Sequence, residues 1–211
     1  MTRIVAGSAK GRTLAVPKSG TRPTSERVRE ALFSRLDHMN VLHGATVLDL
    51  FTGTGALGLE ALSRGAARAT LVERASAAAR VATANVRATG LPANVVTADV
   101  RTYLAARSSD TLEGEVDLVF IDPPYDIAEE DMTEVLSGLA PWIGPDSLVL
   151  VERSTRVPPP SWPTFLVLED ARTWGETVVY FAGPPLPEEH ERGDSDGCGG
   201  APASSGEEHD R

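Results

Sequence analysis

The tetrapeptide Asp122-Pro123-Pro124-Tyr125 combines residue types that suit chemistry on an aromatic amine. The exocyclic amine of a base is a poor nucleophile because its lone pair is delocalised into the ring, so its N–H bonds must be held and its lone pair aimed at a methyl group. The Asp122 carboxylate and the Pro123 carbonyl can hold those bonds, because consecutive prolines fix φ near about −65° and lack N–H donors. Tyr125 offers a flat ring on which an extruded base can stack. The segment therefore predicts a site for a base amine.

A glycine-rich turn follows the predicted strand 46–50. In the run Phe51-Thr52-Gly53-Thr54-Gly55-Ala56-Leu57-Gly58, Gly53 and Gly55 let the backbone turn sharply and approach a ligand, while Gly58 lets the next helix pack closely on the strand. The same spacing fits a dinucleotide fingerprint, with Glu73 at the end of the next strand placed to accept from ribose hydroxyls. Two classes of cofactor are therefore compatible with the turn.

Asp49 favours one of these classes. A carboxylate at the cofactor crevice repels a pyrophosphate but suits the ammonium and sulfonium groups of S-adenosylmethionine. Asp99, after the third predicted strand, can accept from the adenine amino group. Because ligands of open α/β sheets bind outside the carboxyl ends of the strands, Asp49, Glu73 and Asp99 would form one acidic pocket. The sequence thus predicts S-adenosylmethionine as cofactor.

The elements that position these residues alternate between strand and helix. We predict an α/β fold with right-handed βαβ units and a mainly parallel sheet. The predicted strands are 46–50, 69–73, 94–98, 117–121 and 147–152, and the predicted helices are 56–64, 75–89 and 127–139. Two further strands, 164–168 and 177–182, should pair antiparallel because about eight residues are too few for a crossover helix.

Residues 1–44 form a distinct N-terminal part. Segments 3–7 and 12–16 predict a small β-hairpin, and a helix follows over 24–39, with Thr24 or Ser25 as N-cap. Residues 1–45 hold eight Lys and Arg against three Asp and Glu, although the whole chain has a net charge of −10. Phosphate binding depends on local contacts rather than on total charge, so this basic face can contact a nucleic acid.

Composition limits the remaining possibilities. A chain of 211 residues has room for one α/β domain, which we place at 45–183. Residues 184–211 are rich in Pro, Gly, Ser and acidic residues, which predicts a disordered acidic tail. Cys198 is the one cysteine and the four histidines lack ligand spacing, so we expect no disulfide and no metal. The chain shows no signal peptide or spanning segment, and we expect it in the cytoplasm, without a membrane partner.

These motifs together resemble the class I S-adenosylmethionine-dependent amino-methyltransferases. The segments that carry this likeness are Val47-Leu48-Asp49-Leu50-Phe51-Thr52-Gly53-Thr54-Gly55, Glu73, Asp99 and Asp122-Pro123-Pro124-Tyr125. More narrowly, the chain is similar to the bacterial RsmD family of 16S rRNA guanine-N2-methyltransferases. That likeness rests on the segments 3–7, 10–12, 22–33 and 56–64, and it covers roughly residues 3–182.

The resemblance implies a Rossmann-like, seven-stranded, mostly parallel sheet with an antiparallel last strand. It also implies methylation of a guanine amino group in small-subunit rRNA, presented by assembled ribosomal protein and RNA. It implies that S-adenosylmethionine is held by Asp49, Gly53, Gly55, Glu73 and Asp99, and the target base by Asp122, Pro123, Pro124 and Tyr125. The residues implied to face RNA are Arg3, Lys10, Arg12, Arg22, Arg27 and Arg29.

Other interpretations remain open at this point. A DNA adenine-N6 or cytosine-N4 amino-methyltransferase holds its target amine with the same kind of tetrapeptide, but it normally needs an added recognition region. Protein-glutamine methylation usually has Asn at the position of Asp122. A dinucleotide oxidoreductase would explain the glycines and leave the tetrapeptide unexplained. A non-catalytic RNA-binding module would keep the basic face and would tolerate loss of Asp122.

Overall fold

The computed structural model describes residues 2–16, 26–106 and 116–185. Five helices and nine strands lie in these ranges. In chain order they are β1 (Thr2–Arg3), β2 (Thr13–Leu14), α1 (Glu26–His38), β3 (Thr46–Leu50), α2 (Ala56–Ser63), β4 (Arg68–Glu73), α3 (Ser76–Thr89), β5 (Ala93–Thr97), α4 (Val100–Ala105), β6 (Val116–Ile121), α5 (Glu129–Ser137), β7 (Ile143–Ser154), β8 (Val167–Trp174) and β9 (Thr177–Gly183).

Seven of the strands form one sheet in the order β5-β4-β3-β6-β7-β9-β8. The pairs from β5 to β7 are parallel, and β9 runs antiparallel to both β7 and β8. The chain moves outward from β3 to β5 and then returns to β6, so the strand order reverses between β3 and β6. In open α/β sheets such a switch point creates the ligand crevice. The predicted α/β class, with a mostly parallel sheet and an antiparallel last strand, is confirmed.

Apolar side chains cover both faces of the sheet in two layers. Along β6, Leu118 and Phe120 pack on one face, and Val119 and Ile121 pack on the other, as the period of two requires. The first face is covered by α1 and α2 through residues such as Leu32, Phe33, Leu36 and Leu59, and we call it the α1/α2 face. The second face is covered by α4 and α5 through residues such as Leu104, Met132, Val135 and Leu136.

The N-terminal hairpin packs on α2. Ile4 and Leu14 are buried in the layer on the α1/α2 face, and Glu60 accepts the backbone N–H groups of Val5 at 2.7 Å and Ala6 at 3.0 Å. Gly7 has φ +82°, and a Cβ there would lie 1.7 Å from the Ser63 carbonyl oxygen. Only glycine therefore allows the hairpin to approach the helix so closely.

Several regions differ from the prediction. The hairpin strands predicted at 3–7 and 12–16 cover only Thr2–Arg3 and Thr13–Leu14, and β7 begins at Ile143 instead of residue 147. The strand predicted at 164–168 is wrong in position, because β8 covers Val167–Trp174 and joins β9 through a two-residue turn at Gly175 and Glu176. As an edge strand, β8 is mostly exposed and polar, so it lacks the apolar alternation that marks a strand. The helix α4 was not predicted, since it has only six residues.

Some predictions fall outside the described ranges. These are the N-cap at Thr24 or Ser25, the position of Arg22, the cysteine Cys198 and the acidic tail from residue 186 onward. Within the described ranges, no helix combines the length and apolar character needed to cross a bilayer.

Candidate active site

A cavity of about 780 Å³ opens at the carboxyl ends of the parallel strands. Acidic residues at or near the carboxyl ends of five of these strands line it. Asp49 and Glu152 lie within β3 and β7 close to their ends, Glu73 ends β4, and Asp99 and Asp122 follow β5 and β6. Gly53 and the whole of 122–125 also line it. The structure therefore brings the acidic residues and the tetrapeptide to one space, at the topological switch point.

The glycine-rich turn adopts the backbone that its sequence suggests. Gly53 has φ +56° and Gly55 has φ +80°, a conformation that favours glycine. Gly55 does not line the cavity. It is the N-cap residue of α2, and its N–H donates to the Thr52 carbonyl at 2.8 Å. Gly53 thus lies at the cavity, whereas Gly55 shapes the turn.

Phe51 also has a positive φ, +61°, which is a rare conformation for a bulky residue. It lines the cavity immediately after β3. Strained backbone of this kind persists where the surrounding structure enforces it, and it is often found at functional sites. Its position just before Thr52 and Gly53 adds a residue that sequence reasoning did not single out.

Gly58 allows α2 to pack closely against β3, as predicted, and also against β4. A Cβ on Gly58 would lie 2.3 Å from Leu71 Cδ2 and 3.2 Å from Asp49 Oδ2. Its backbone N–H donates to Asp49 Oδ2 at 2.9 Å. The glycine therefore both permits the close approach of the helix and holds the carboxylate.

Asp49 is buried, and Oδ2 accepts from Thr52 Oγ1 at 2.6 Å as well as from Gly58. Oδ1 is buried and has no hydrogen-bond partner in the described part of the chain. Burial raises the pKa of Asp49 from 3.8 to about 7, the two hydrogen bonds oppose this shift, and the nearby carboxylates of Asp122 and Glu73 add to it. A cation in the cavity would offset the cost of ionising this buried carboxylate, because an adjacent positive charge favours the ionised form.

Glu73 ties the turn to the end of β4. Its Oε2 accepts the N–H of Gly53 at 3.0 Å, and its Oε1 accepts the N–H of Ala75 at 2.7 Å. Each carboxylate oxygen has a second lone pair, so these bonds leave capacity for a ligand hydroxyl.

Asp99 is the N-cap of α4. Its Oδ1 accepts the backbone N–H groups of Arg101 at 3.0 Å and Thr102 at 3.4 Å. The residue therefore has a structural task in addition to lining the cavity.

The tetrapeptide forms a turn at the mouth of the cavity. Asp122 is half-buried, Pro123 is buried, and Pro124 and Tyr125 are exposed. The Pro124 carbonyl accepts the N–H of Ile127 at 3.1 Å. The Tyr125 side chain is among the few large apolar ones on the surface, with 67% of the residue exposed. An exposed aromatic ring beside a cavity is suited to stacking on a flat ligand.

Arg29, predicted with the RNA-facing residues, is not exposed on the outer surface; it is buried and lines the cavity. It is 1% exposed, its Nη2 donates to the Arg3 carbonyl at 2.5 Å, and its Nε lies 3.9 Å from Glu60 Oε2. It shares the helical spacing of Leu32, Phe33 and Leu36, so it belongs to the buried stripe of α1. The periodicity of the helix was the signal that could have revealed this.

The other basic residues predicted to face RNA within the described ranges are exposed. Arg3 pairs with Glu26 at 3.4 Å, and Arg12 donates to the Ala88 carbonyl at 3.2 Å. Lys10 lies in the hairpin turn whose neighbours Ser8 and Ala9 bond to Ser63, at the end of α2 remote from the cavity. Arg27 is exposed on α1, and Arg22 lies outside the described ranges. Exposed cations thus extend from near the cavity along the hairpin.

Glu152 is a cavity residue that sequence reasoning missed. It lines the cavity from within β7, two residues before the strand ends. The signal in the sequence was a charged residue that directly follows the apolar run 148–151.

The chain matches one family model and is similar in sequence to ribosomal RNA methyltransferases. Residues 2–183 match the family model described as conserved hypothetical protein 95. The chain is 36% identical over 178 residues to ribosomal RNA small subunit methyltransferase D of Escherichia coli K12, covering 83% of this chain and 86% of that protein. The methyltransferase of the same name from Haemophilus influenzae is 33% identical over 166 residues, covering 76% of this chain and 84% of that protein.

Solved structures agree with this placement. The Escherichia coli protein yhhF, described as a candidate methyltransferase, has a TM-score of 0.74 and 34% identity, covering 88% of this chain and 99% of that one. A protein from Thermus thermophilus has a TM-score of 0.74 and 32% identity, covering 87% of this chain and 99% of that one. The chain belongs to the RsmD family of ribosomal RNA small subunit methyltransferases.

Proposed function

We propose that this protein transfers a methyl group from S-adenosylmethionine to the exocyclic N2 amine of a guanine in 16S rRNA. The observation that carries the proposal is the cavity that Asp49, Glu73 and Asp99 share with the tetrapeptide 122–125. Cofactor and target base must meet within bonding distance, and one space lined by both sets of residues permits this. Membership of a family with rRNA methyltransferases supports the substrate class.

The residues present fit the proposed cofactor. Asp49 is buried, with Oδ1 unpartnered in the described part of the chain, and it lies in the field of Glu73 and Asp122. Such a site disfavours a pyrophosphate and favours a cation. S-adenosylmethionine carries ammonium and sulfonium groups, and when bound it supplies an electrophilic methyl group. In this proposal Asp49 and Gly53 hold its amino-acid part, Glu73 its ribose and Asp99 its adenine, while Gly55 shapes the turn.

The tetrapeptide would hold and orient the target base. We assign the two N–H bonds of the amine to the Asp122 carboxylate and the Pro123 carbonyl, and the stacking surface to Tyr125. Pro124 keeps the turn rigid, because proline fixes φ and restricts the residue before it. Once the amine has been methylated, its excess proton can pass to Asp122 or to water. Most of the rate acceleration should come from this alignment.

The N-terminal part would contact the RNA outside the cavity. Residues 1–44 serve here as an RNA-facing extension of the methyltransferase domain 45–183. The exposed cations Arg3, Lys10, Arg12 and Arg27, together with Arg22, would bind phosphates along a strand that enters the cavity. We propose that the guanine is presented by rRNA within an assembling small subunit in the cytoplasm. The acidic tail 184–211 has no assigned role in this reaction.

The test is methyl transfer from labelled S-adenosylmethionine to three separate substrates, followed by nucleoside analysis. The substrates are naked unmodified 16S rRNA, unmodified small subunits and duplex DNA. We expect label in N2-methylguanosine from the subunits. Label in DNA alone would support an adenine-N6 or cytosine-N4 activity instead, and absence of transfer despite cofactor binding would contradict the proposal.

Asp122→Ala is the informative variant for this assay. We expect transfer to fall by ~10²- to 10³-fold because the amine loses one of its two orienting acceptors. Cofactor binding measured by calorimetry should persist, which shows that the cavity remains folded. Asp146→Ala is the matched control, because Asp146 is exposed on β7 and does not line the cavity.

A further inference from the structure

Glu152 and Asp122 lie close together at the carboxyl ends of neighbouring strands. In the parallel pair of β6 and β7, Ile121 is the register partner of Val151. Asp122 directly follows the last residue of β6, Glu152 is the next residue of β7, and neighbouring strands are about 4.8 Å apart. Both residues also line the same cavity, which places them at the same edge of the sheet.

The Glu152 side chain points to the α1/α2 face of the sheet. Leu150, two residues earlier on β7, is buried in the layer on that face, and side chains on a strand alternate with a period of two. Asp122 lies just beyond the end of β6, and the spaces that both residues line place it beside Glu152. Glu152 is half-buried and lines the 780 Å³ cavity. It also lines a smaller cleft together with all four residues of the tetrapeptide.

A second carboxylate beside Asp122 can distinguish guanine from the other bases that carry an exocyclic amine. Guanine, adenine and cytosine all carry an exocyclic amine, but they differ at the adjacent ring nitrogen on the Watson–Crick edge. Guanine N1 carries a hydrogen and donates, whereas adenine N1 and cytosine N3 are acceptors. An ionised carboxylate only accepts hydrogen bonds. A carboxylate placed beside the group that holds the amine would therefore accept the N1–H of guanine. With adenine or cytosine, its oxygen would face the lone pair of the ring nitrogen, which is repulsive.

We infer that Glu152 accepts the N1–H of the target guanine and thereby selects guanine over adenine and cytosine. This inference rests on the proposed function, and it adds to that function a specificity residue. Asp122 and the Pro123 carbonyl hold the N2 amine, and Glu152 reads the neighbouring ring position. Rejection of a base that leaves a buried polar group unpaired is a strong source of selectivity.

The test compares guanine with 2-aminopurine at the target position of the RNA in reconstituted small subunits. The analogue keeps the 2-amino group but has an unprotonated, accepting ring N1. We expect the wild-type protein to prefer guanine by at least ~10²-fold in kcat/KM. Glu152→Gln should lower kcat/KM on guanine by ~10- to 10²-fold. It should also reduce the preference for guanine by at least ~10-fold, because the carboxamide can donate to the accepting N1 of 2-aminopurine.

Glu130→Gln is the matched control, since Glu130 is exposed on α5 and does not line the cavity. It should leave both rates unchanged. An unaltered preference in Glu152→Gln, or an equal fall on both substrates, would overturn the inference and give Glu152 a purely structural role. If Glu152→Gln fails to fold, the wild-type protein alone still tests the inference: equal kcat/KM values on guanine and 2-aminopurine would overturn the inference. Failure of the proposed function is recognised separately, as wild-type protein that forms no N2-methylguanosine.

Discussion

Gly58 donates its backbone N–H to Asp49 Oδ2 at 2.9 Å, and this bond couples the packing of α2 to the charge at the base of the cavity. The contact exists because Gly58 has no side chain, since a Cβ there would lie 2.3 Å from Leu71 Cδ2. Thr52 holds the same carboxylate oxygen. The orientation of Asp49 is therefore fixed by the turn that follows β3 and by the first turn of α2.

Gly58→Ala should destabilise the fold by about 1 to 3 kcal/mol, because the added methyl group overpacks a buried contact with Leu71. It should also weaken binding of S-adenosylmethionine, because Asp49 Oδ2 lies 3.2 Å from the new atom. Urea unfolding and calorimetric titration measure the two effects. Leu71→Val removes the clashing atoms, so the penalty of Gly58→Ala should be smaller in that background. Strict additivity of the two substitutions would contradict the proposed clash.

Asp49→Asn should stabilise the ligand-free protein above about pH 7. Burial raises the pKa of Asp49 from 3.8 to about 7, so between these values the folded state binds more protons than the unfolded chain. Stability therefore falls as pH rises through this window and is level above it. Asparagine avoids the free-energy cost of a buried ionised carboxylate, which is on the order of 4 kcal/mol, and its side-chain oxygen can still accept the hydrogen bonds from Thr52 and Gly58.

Urea unfolding of wild type and Asp49→Asn at pH 4 and pH 8 measures this difference. The free energy of unfolding of Asp49→Asn should exceed that of wild type clearly at pH 8 and hardly at all at pH 4. The same variant should bind S-adenosylmethionine more weakly at pH 8, because the neutral amide cannot offset the positive charge of the ligand. A variant less stable than wild type at pH 8 would show that the carboxylate is already compensated in the ligand-free protein.

Tyr125→Ala should lower kcat/KM for the RNA substrate by roughly 5- to 150-fold, as expected for the loss of one stacking contact of about 1 to 3 kcal/mol. Tyr125→Phe keeps the ring and should stay within about twofold of wild type. Because Tyr125 is 67% exposed, neither change should lower the melting temperature. Steady-state kinetics and thermal unfolding separate these effects. Equal defects in both variants would assign the role to the hydroxyl group instead of the ring.

Lys10→Gln should weaken RNA binding without changing the rate at saturating substrate, because Lys10 lies in the hairpin turn, remote from the cavity. The slope of log affinity against log salt should fall by about 0.7 to 0.9 if the side chain contacts one phosphate. Arg172→Gln is the control, since Arg172 is exposed on β8 at the other edge of the sheet. Identical slopes for Lys10→Gln and wild type would place the RNA elsewhere.

The sequence alone determined the α/β class, the turn at Gly53 and Gly55, the close packing at Gly58 and part of the cavity lining, namely Asp49, Glu73, Asp99 and the tetrapeptide 122–125. These features depend on local signals. Strand and helix periodicities are visible within a few residues, and a positive φ or a close approach demands glycine at a given position. The residues that follow parallel strands meet at one edge wherever those strands lie in the sheet.

Only the tertiary structure decided which of these residues become neighbours. Glu152 lies beside Asp122 because β7 pairs with β6 in one register, and Arg29 contacts Arg3 and Glu60 because its helix face meets the hairpin and α2. The position of β8 followed from pairing with β9, since its own exposed, polar sequence carries little strand signal. Strand order, register and the choice of a covering helix are contacts between distant parts of the chain, and local propensity does not encode them.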